Sequence, residues 1–363
     1  MSGPSPFSPA SLPGLPAPLC GQAWACLDLP GHPDRRIEAR GPFLAAALPP
    51  PDRLAFYVND FALTDPFPWQ IPTQIGSASP SAPPPLASPL PTCWPPPDRA
   101  LFESVFRDCM KAIRQRRLLK IVPVSSVSAT ATAHPARALH ALLHPSRIAG
   151  MGHAAAWSNG QNGFATITPE VLFELSGTRL TTMALAGTAD AQHEADLRQA
   201  PTLAREHEIV VDELHRRLAS LGRVHLSPKE VVPLGTVRHL RTTLTVDLPL
   251  APQGQALHDL IHLLHPTPAL GISPRNPDTL AQLSECRDRC RVPAAFGAPC
   301  GVAWPGGAVF LVAIRGVFWE NHTLHLPAGG GLVAGSVLDN EWAELELKRN
   351  WVRHAFQLHP AHA

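Results

Sequence analysis

A glycine-rich turn and an acidic helix near the C-terminus hold the residues whose types and spacing most clearly suit chemistry. Residues 329–331 are all glycine, so their backbone N–H groups are unshielded and can bind anions. Asp339 is placed to cap the helix that follows. On that helix Glu341, Glu344 and Lys348 share one face, because they are spaced by three and four residues. Two carboxylates, an ammonium group and bare amides together suit a divalent metal that bridges the protein to a carboxylated small molecule.

Five further polar residues stand among apolar neighbours, and local sequence leaves two interpretations open for each. Lys120 lies in an apolar strand and could face solvent or, if buried, act as a general base. Glu170 follows a proline between two strands and could be a surface carboxylate or a buried general acid. Glu206 opens a helix, where it could complement the helix dipole or bind a metal. Arg315, if buried, must be paired or face an anion, and His239 could equally be a core histidine.

Composition excludes several classes of protein. The chain has 363 residues, of which 45% are apolar and 16% charged, and a net charge of +1. It can bury a large core, but it has no field that would steer it toward nucleic acid or an anionic membrane. No apolar run reaches the length of a spanning helix, and the proline-broken N-terminus is a poor signal peptide. Seven scattered cysteines indicate free thiols in a reducing cytoplasm.

Proline content divides the chain. Residues 1–75 form a weakly specified N-terminal region, 76–98 a proline-rich linker or loop, and 99–358 a catalytic domain. Helices and strands are interspersed in the last part, and several strands follow one another directly. This order predicts a mixed α/β or α+β fold, with a strand over 308–318 and a final helix from about Asn340 to Phe356.

The polar residues above belong to nine blocks that occur in the order typical of the chorismate-binding enzymes, which the chain resembles from about Arg99 to Ala355. That family includes isochorismate, salicylate, anthranilate and aminodeoxychorismate synthases. Each block alone is weak, but nine in order are specific. The blocks are KIVPVS (120–125), TPE (168–170), ALAGT (184–188), REHEIV (205–210), HLRT (239–242), HPTPAL (265–270), FGAPCG (296–301), VAIR (312–315) and residues 328–348.

The resemblance implies one large domain with extensive antiparallel sheet, outer helices and a deep active-site cleft. It also implies a reaction in which a nucleophile adds at C2 of chorismate as the C4 hydroxyl leaves. One Mg²⁺ would hold the ring carboxylate. By position, Lys120 corresponds to the base that activates water and Glu170 to the general acid. Glu206 and Glu344 correspond to the Mg²⁺ ligands, with Glu341 as an outer partner through water.

The same resemblance implies which residues bind the substrate. Arg315 would grip the enolpyruvyl carboxylate, and His239 would lie near the ring hydroxyl. The other positions would hold carboxylates (Lys348 and the amides around Gly329 and Gly331), line the ring site (Gly187 and Thr188) or shape the wall (Ala269 and Leu270).

Three features favour water as the nucleophile and isochorismate as the product. Ala186 stands where aminodeoxychorismate synthases carry a nucleophilic lysine, and Lys120 where ammonia-using members usually have glutamine. The HPTPAL block resembles isochorismate synthases more than salicylate or anthranilate synthases. We therefore expect a magnesium-dependent isochorismate synthase that acts as a monomer without a glutaminase subunit and feeds menaquinone, siderophore or salicylate synthesis. Salicylate synthase, or a non-catalytic chorismate-binding homologue, is the alternative.

Three departures from the family pattern bear on that expectation. Ser125 replaces an arginine, Leu203 replaces an acidic residue one turn before Glu206, and the segment 289–295 is longer than usual. These changes could weaken Mg²⁺ binding or alter substrate choice, although the predicted acid, base and direct metal ligands are all present.

Overall fold

The computed structural model describes residues 15, 18, 21–30, 36–77, 90–91, 93–190, 200–234 and 237–358. Within these ranges the chain forms nineteen strands and seven helices. The strands are β1 (Trp24–Asp28), β2 (Arg36–Ala46), β3 (Ala55–Val58), β4 (Trp69–Ser77), β5 (Lys120–Ile121), β6 (Val124–Thr130), β7 (His153–Ser158), β8 (Asn162–Thr168), β9 (Val171–Ser176), β10 (Arg179–Asp190), β11 (Val224–Leu226), β12 (Glu230–Leu234), β13 (Val237–Asp247), β14 (Ile272–Ser273), β15 (Pro299–Trp304), β16 (Gly307–Val312), β17 (Gly316–Glu320), β18 (Thr323–Gly329) and β19 (Leu332–Val333). The helices are α1 (Arg99–Arg114), α2 (Ala136–Leu142), α3 (Pro145–Ile148), α4 (Pro201–Leu218), α5 (Gln255–Leu264), α6 (Pro277–Arg289) and α7 (Leu338–Ala355).

Two sheets organise these elements, and all of their described pairings are antiparallel. The large sheet has the order β11-β13-β10-β9-β16-β15-β3-β4-β2-β1-β7-β8-β17-β18-β6, and β12 pairs with β13. The small sheet has the order β14-β5-β19. The predicted α+β class with extensive antiparallel sheet is thereby confirmed.

Alternation along the strands distributes apolar side chains over both faces of the large sheet. In β1, Ala25 and Leu27 join one core cluster, whereas Trp24 and Cys26 join a second. Helices α4 and α5 pack into the first cluster, and α2 and the end of α7 pack into the second. A third cluster joins α1, α6 and the start of α7 to the small sheet. The site described below lies where these layers meet.

The N-terminal strands are part of the large sheet. Strand β1 pairs with β2 on one side and β7 on the other, and β3 pairs with β15. From the sequence, residues 1–75 were only weakly specified. The division into domains stays a prediction, and the proline-rich segment 76–98 lies largely outside the described residues.

Two expectations about the C-terminal elements are wrong. Helix α7 begins at Leu338 with Val337 as its N-cap, and no side chain caps it. Asp339 is instead in the first turn and pairs with Arg99. The strand predicted over 308–318 is interrupted, because Arg315 takes a left-handed conformation with φ of 56° between β16 and β17.

In the described part of the chain, no helix is both long and apolar enough to cross a membrane.

Candidate active site

One cleft brings together residues from widely separated parts of the chain. Lys120, on β5, lies next to the cleft, because its side chain forms an ion pair with the lining residue Glu206. Glu341, on α7, also lies next to the cleft. The side chain of Thr188 lies outside the described residues. The predicted site residues that line the cleft are Glu170, Gly187, Glu206, His239, Ala269, Leu270, Arg315, Gly329, Gly331, Glu344 and Lys348.

Lys120 and Glu206 form a buried ion pair across this cleft. Lys120 is the first residue of β5, the middle strand of the small sheet, and its side chain is fully buried. Its Nζ lies 2.9 Å from Glu206 Oε1. The contact lacks hydrogen-bond geometry, and among the described residues Nζ has no hydrogen-bond partner. A buried ammonium with unused hydrogens needs another acceptor, so the Lys120 side chain can still bind a water or a substrate oxygen.

A glycine bulge positions the other oxygen of Glu206. The register between β10 and β13 shifts at Gly187, which has a φ of 77°. This bulge turns the Gly187 N–H toward Glu206 Oε2, at 3.2 Å. Glycine tolerates this left-handed conformation without the steric cost that a side chain would impose. The backbone thereby fixes the direction of the carboxylate.

The glycine turn packs closely against strand β6 and the Lys120–Glu206 pair. Gly329 ends β18 opposite Val124, and the Gly330 N–H donates to the Pro123 carbonyl at 3.3 Å. These two glycines therefore interact with strand β6 and with the residue that precedes it. A Cβ on Gly331 would overlap Glu206 Oε1 and lie 2.6 Å from Lys120 Cε. Glycine is therefore needed at 331 for close packing against the Lys120–Glu206 pair.

Glu170 is a buried carboxyl group at the turn between β8 and β9. Glu170 is 4% exposed, and Thr267 Oγ1 donates to Glu170 Oε1 at 3.1 Å. Burial raises the pKa of Glu170 from 4.5 to about 7, although the Thr267 hydrogen bond and the charges of Lys120 and Lys348 oppose the shift. At neutral pH this group can therefore donate a proton as well as accept one.

Arg315 and His239 form the cationic end of the cleft. Arg315 is 7% exposed, and no described carboxylate lies within ion-pair distance of it. Its Nη2 is 3.3 Å from His239 Nε2, and its guanidinium lies over the Trp351 ring at 5.7 Å. Burial lowers the pKa of Arg315 to about 10, and burial together with the Arg315 charge places the pKa of His239 well below its usual value. Neutral His239 can thus accept from Arg315, whose charge remains available to an anion.

Helix α7 supplies a second ion pair. Lys348 Nζ lies 2.6 Å from Glu344 Oε1 and donates to the Gly329 carbonyl at 2.7 Å. Glu341 is on the same face, and a Cβ on Gly330 would lie 3.3 Å from its Oε2. Burial and then the charge of Glu344 raise the pKa of Glu341 to about 8, and the more distant Glu206 adds to the shift.

The carboxylates of the cleft fit Mg²⁺ in their chemistry. Glu341 is affected by the charges of both Glu344 and Glu206, so three carboxyl groups converge on the glycine turn. In the described ranges, no three acidic, histidine or cysteine side chains enclose a metal position as they stand. Mg²⁺ commonly uses one or two protein carboxylates and completes its shell with water and substrate oxygens, so a complete protein cage is not required.

Ser125 and Leu203, two of the departures from the family pattern, lie near the site. The Ser125 carbonyl accepts from Arg349 Nη1 at 3.1 Å, and Arg349 is fully buried on α7. A guanidinium is therefore present beside 125, although it comes from another element. Leu203, one turn before Glu206, places its carbonyl near Gly187, where an added Cβ would lie 3.3 Å from it. It supplies no charge to the metal side of the cleft.

Two contributors were missed in the sequence. Thr267 was seen only as a letter of the HPTPAL block, yet it donates to Glu170. Trp351 was seen only as part of the C-terminal helix, yet its ring packs under Arg315. For Thr267, the one available signal in the sequence was its position inside the HPTPAL block. The Trp351 contact depends on tertiary packing.

The chain matches a family model described as "Chorismate binding enzyme" over residues 74–357. Isochorismate synthase MenF of Pasteurella multocida is 29% identical over 254 residues, which cover 66% of this chain and 57% of that protein. The salicylate biosynthesis isochorismate synthase of Pseudomonas aeruginosa is 30% identical over 278 residues, covering 71% and 55%. The chain thus spans little more than half the length of these relatives.

Solved structures show the same fold. The protein described as the 2,3-dihydroxybenzoate-specific isochorismate synthase DhbC of Bacillus anthracis superimposes with a TM-score of 0.75 at 19% identity, covering 94% of this chain and 98% of that one. MenF of Escherichia coli superimposes with a TM-score of 0.70 at 19% identity, covering 96% and 90%.

Proposed function

Because this chain belongs to the family of chorismate-binding enzymes, we propose that it is an isochorismate synthase that converts chorismate to isochorismate. Two relatives that carry this name are 29% and 30% identical to the chain. The observation that carries the proposal is the pair of Glu170 and Lys120: a buried acid with a pKa of about 7 lines the cleft, and a buried lysine lies next to it in contact with the lining residue Glu206. The reaction needs one acid and one base.

Glu170 is the proposed general acid. The C4 hydroxyl leaves as water when it receives a proton as the ring double bond shifts. A carboxyl group with a pKa near neutrality holds that proton at physiological pH and can release it. The Thr267 hydroxyl fixes the orientation of the carboxyl through its 3.1 Å hydrogen bond. Thr267 is therefore a positioning residue for the acid.

Lys120 is the proposed general base. In its neutral amine form, which has a free lone pair, it takes a proton from the water that adds at C2, so one water is consumed and one released in each turnover. The family resemblance implies this role, and the burial of Lys120 beside Glu206 places its amino group inside the cleft, away from solvent. Water exclusion around the acid and base strengthens their electrostatic interaction with the substrate.

The substrate is held at its two carboxylates. Arg315, which has no described carboxylate partner, is the proposed site of the enolpyruvyl carboxylate, because a guanidinium binds a carboxylate through two parallel hydrogen bonds. Lys348 and the backbone near Gly329 and Gly331 face the ring carboxylate. His239 lies beside Arg315, near the ring hydroxyl in this arrangement. The wall residues enclosing the ring are Gly187, Ala269 and Leu270.

Mg²⁺ is the proposed cofactor. Glu206 and Glu344 are the carboxylates that would hold it, with Glu341 interacting through water. When bound, the ion would neutralise charge on the ring carboxylate. In the structure, each of these two carboxylates is paired with a lysine side chain.

We further propose that the protein acts in the cytoplasm without a glutaminase subunit and as a monomer. All six described cysteines are free thiols, which suits a reducing compartment. Lys120, in place of the glutamine of ammonia-using members, removes the need for an ammonia-producing partner.

Product analysis tests the proposal. Purified protein is incubated with chorismate and Mg²⁺, with and without ammonium, and the products are separated by liquid chromatography. Isochorismate alone is expected. Salicylate with pyruvate would identify a salicylate synthase, and anthranilate in the ammonium sample would identify an ammonia-using enzyme.

Matched variants test the assignments. Lys120→Ala and Glu170→Ala should each abolish conversion while the circular-dichroism spectrum is unchanged. Glu103→Ala, on the outer helix α1, is the control and should retain full turnover. Saturable chorismate binding by the native chain without any product would refute the enzyme assignment.

A further inference from the structure

A second cavity lies behind the wall of the cleft. It has a volume of about 360 Å³ and shares no lining residue with the cleft. Leu270 faces the cleft and Phe61 faces the second cavity, and an added Cβ on Gly297 would contact both side chains. His265 ties this wall together, since its Nε2 lies 2.8 Å from the Phe61 carbonyl. A cavity of this volume is within the range of small-molecule sites.

Arg287 gives the cavity a buried positive charge. It is 7% exposed, and no described carboxylate lies within ion-pair distance. Its Nη2 donates to the carbonyl of Phe296 at 2.8 Å and more weakly to that of Pro293. Its Nε and Nη1 hydrogens have no acceptor among the described residues. These nitrogens are not among the buried atoms that lack a partner, so an acceptor in the cavity can reach them.

A second guanidinium lies on the same cavity. Arg275 donates to the Leu263 and His262 carbonyls, at 3.0 and 2.8 Å, and has no carboxylate partner in the described ranges. Burial, with the charges of Arg275 and Arg287 contributing, lowers the pKa of His265 to about 3, so the imidazole between them is neutral. The cavity therefore presents the two fixed positive charges of Arg275 and Arg287.

One side of the cavity is apolar and aromatic. The Arg287 guanidinium lies 3.8 Å from the centre of the Phe61 ring, and Leu283 and Val292 complete this side. A flat apolar group would be covered on one face by such side chains. The ligand class that suits an apolar side beside unused guanidinium donors is a ring that bears one carboxylate.

The carboxylates on the rim argue against a more highly charged anion. Asp60 accepts from the Thr64 backbone N–H at 3.0 Å and is held within its own loop. Asp288 is exposed at the end of α6. Both would repel a phosphate dianion more strongly than a monocarboxylate.

We propose that this cavity is a second small-molecule site that binds an aromatic monocarboxylate, with the carboxylate on the free donors of Arg287 and the ring against Phe61, Leu283 and Val292. The bound molecule would contact the His265–Pro266 end of the segment that carries Thr267 to Glu170. The proposal concerns binding alone and does not depend on the proposed function.

Calorimetric titration with benzoate tests it, with benzamide as the neutral analogue of the same shape. Arg287→Leu removes the buried cation, and Ser284→Phe fills the cavity from α6 without removing a hydrogen bond of the described structure. Arg289→Leu is the matched control, because it makes the same change on the same helix where the side chain pairs with Asp108 outside the cavity. Arg315→Leu removes the cation of the cleft. Thermal melting checks that each variant is folded.

We expect one benzoate to bind per chain. Benzamide should bind the native chain roughly tenfold or more weakly, and the Arg287→Leu and Ser284→Phe variants should bind benzoate roughly tenfold or more weakly, as for loss of a charge-assisted hydrogen bond. Arg289→Leu and Arg315→Leu should change the affinity less than about threefold. If Arg287→Leu does not fold, Ser284→Phe decides. Absence of saturable binding at millimolar benzoate, or loss of binding in Arg315→Leu alone, would overturn the proposal.

Discussion

Replacing Glu170 by glutamine should stabilise the protein at alkaline pH, and the gain should vanish as the pH falls. The carboxyl group is buried, with Thr267 as its one side-chain hydrogen-bond donor among the described residues. Its ionised form is therefore disfavoured in the folded state, and its pKa is about 7. Glutamine has the shape of the protonated acid and cannot ionise, so it avoids that cost.

Proton linkage determines the sign and size of this change in the free energy of unfolding. Because the folded pKa is raised, the contribution of Glu170 to stability is fully present below its ordinary pKa of 4.5 and is lost as the pH rises through about 7. The full loss corresponds to about 3 kcal/mol. At pH 5 only about 1 kcal/mol of it has been lost, so the variant should gain about 2 kcal/mol over the native chain between pH 5 and pH 8.5.

Urea denaturation at pH 5, 7 and 8.5 measures this difference, in buffer that contains EDTA and no chorismate. All other titrating groups are common to both chains and cancel. Thr267→Val provides the companion test: its loss removes a hydrogen bond that lowers the pKa of Glu170, so the destabilisation of this variant should extend to higher pH. A stability difference between Glu170→Gln and the native chain that does not change with pH would refute the reasoning.

The other predictions concern substrate and metal binding. Arg315→Leu should raise the KM for chorismate roughly tenfold or more in steady-state kinetics, because a charge-assisted contact is lost; an unchanged KM would contradict its role. Glu344→Gln should weaken Mg²⁺ binding in calorimetry roughly tenfold or more, whereas equal affinity would exclude it as a ligand. Leu203→Asp should tighten Mg²⁺ binding in the same assay, and weaker binding would argue against a metal at this position. Gly331→Ala should lower kcat by roughly a hundredfold, since the added Cβ displaces the Lys120–Glu206 pair; native kcat would show that the pair tolerates displacement.

Short-range patterns predicted much of what the site contains. Strands β8 and β9 flank Pro169-Glu170 as expected, and the final helix predicted from about Asn340 to Phe356 is α7 (Leu338–Ala355). Pro123 interrupts the apolar run after Lys120, between β5 and β6, because proline cannot donate to the ladder. Each of these features depends on a few neighbouring residues, which is why the sequence alone indicated them.

Long-range geometry escaped the sequence. Strand β1 joins the large sheet through partners in 36–40 and 155–158, and nothing within the segment specifies them. The left-handed Arg315 ended a strand that hydropathy indicated as continuous. The need for glycine at 331 is set by Lys120 and Glu206, which come from distant parts of the chain. These are packing requirements, and an isolated segment does not express them.

The charges of the cleft together select a dicarboxylate. Two ammonium groups, those of Lys120 and Lys348, are balanced by Glu206 and Glu344. Glu341, with a pKa of about 8, is largely protonated at neutral pH. Arg315 is then the remaining charge of the cleft with no described carboxylate within ion-pair distance, and a bound divalent cation would add two more positive charges. A substrate with two carboxylates offsets most of this excess, whereas a neutral ring would leave both the guanidinium and the cation desolvated without a counter-ion. The same residues that suit chorismate therefore disfavour uncharged ring compounds in the cleft.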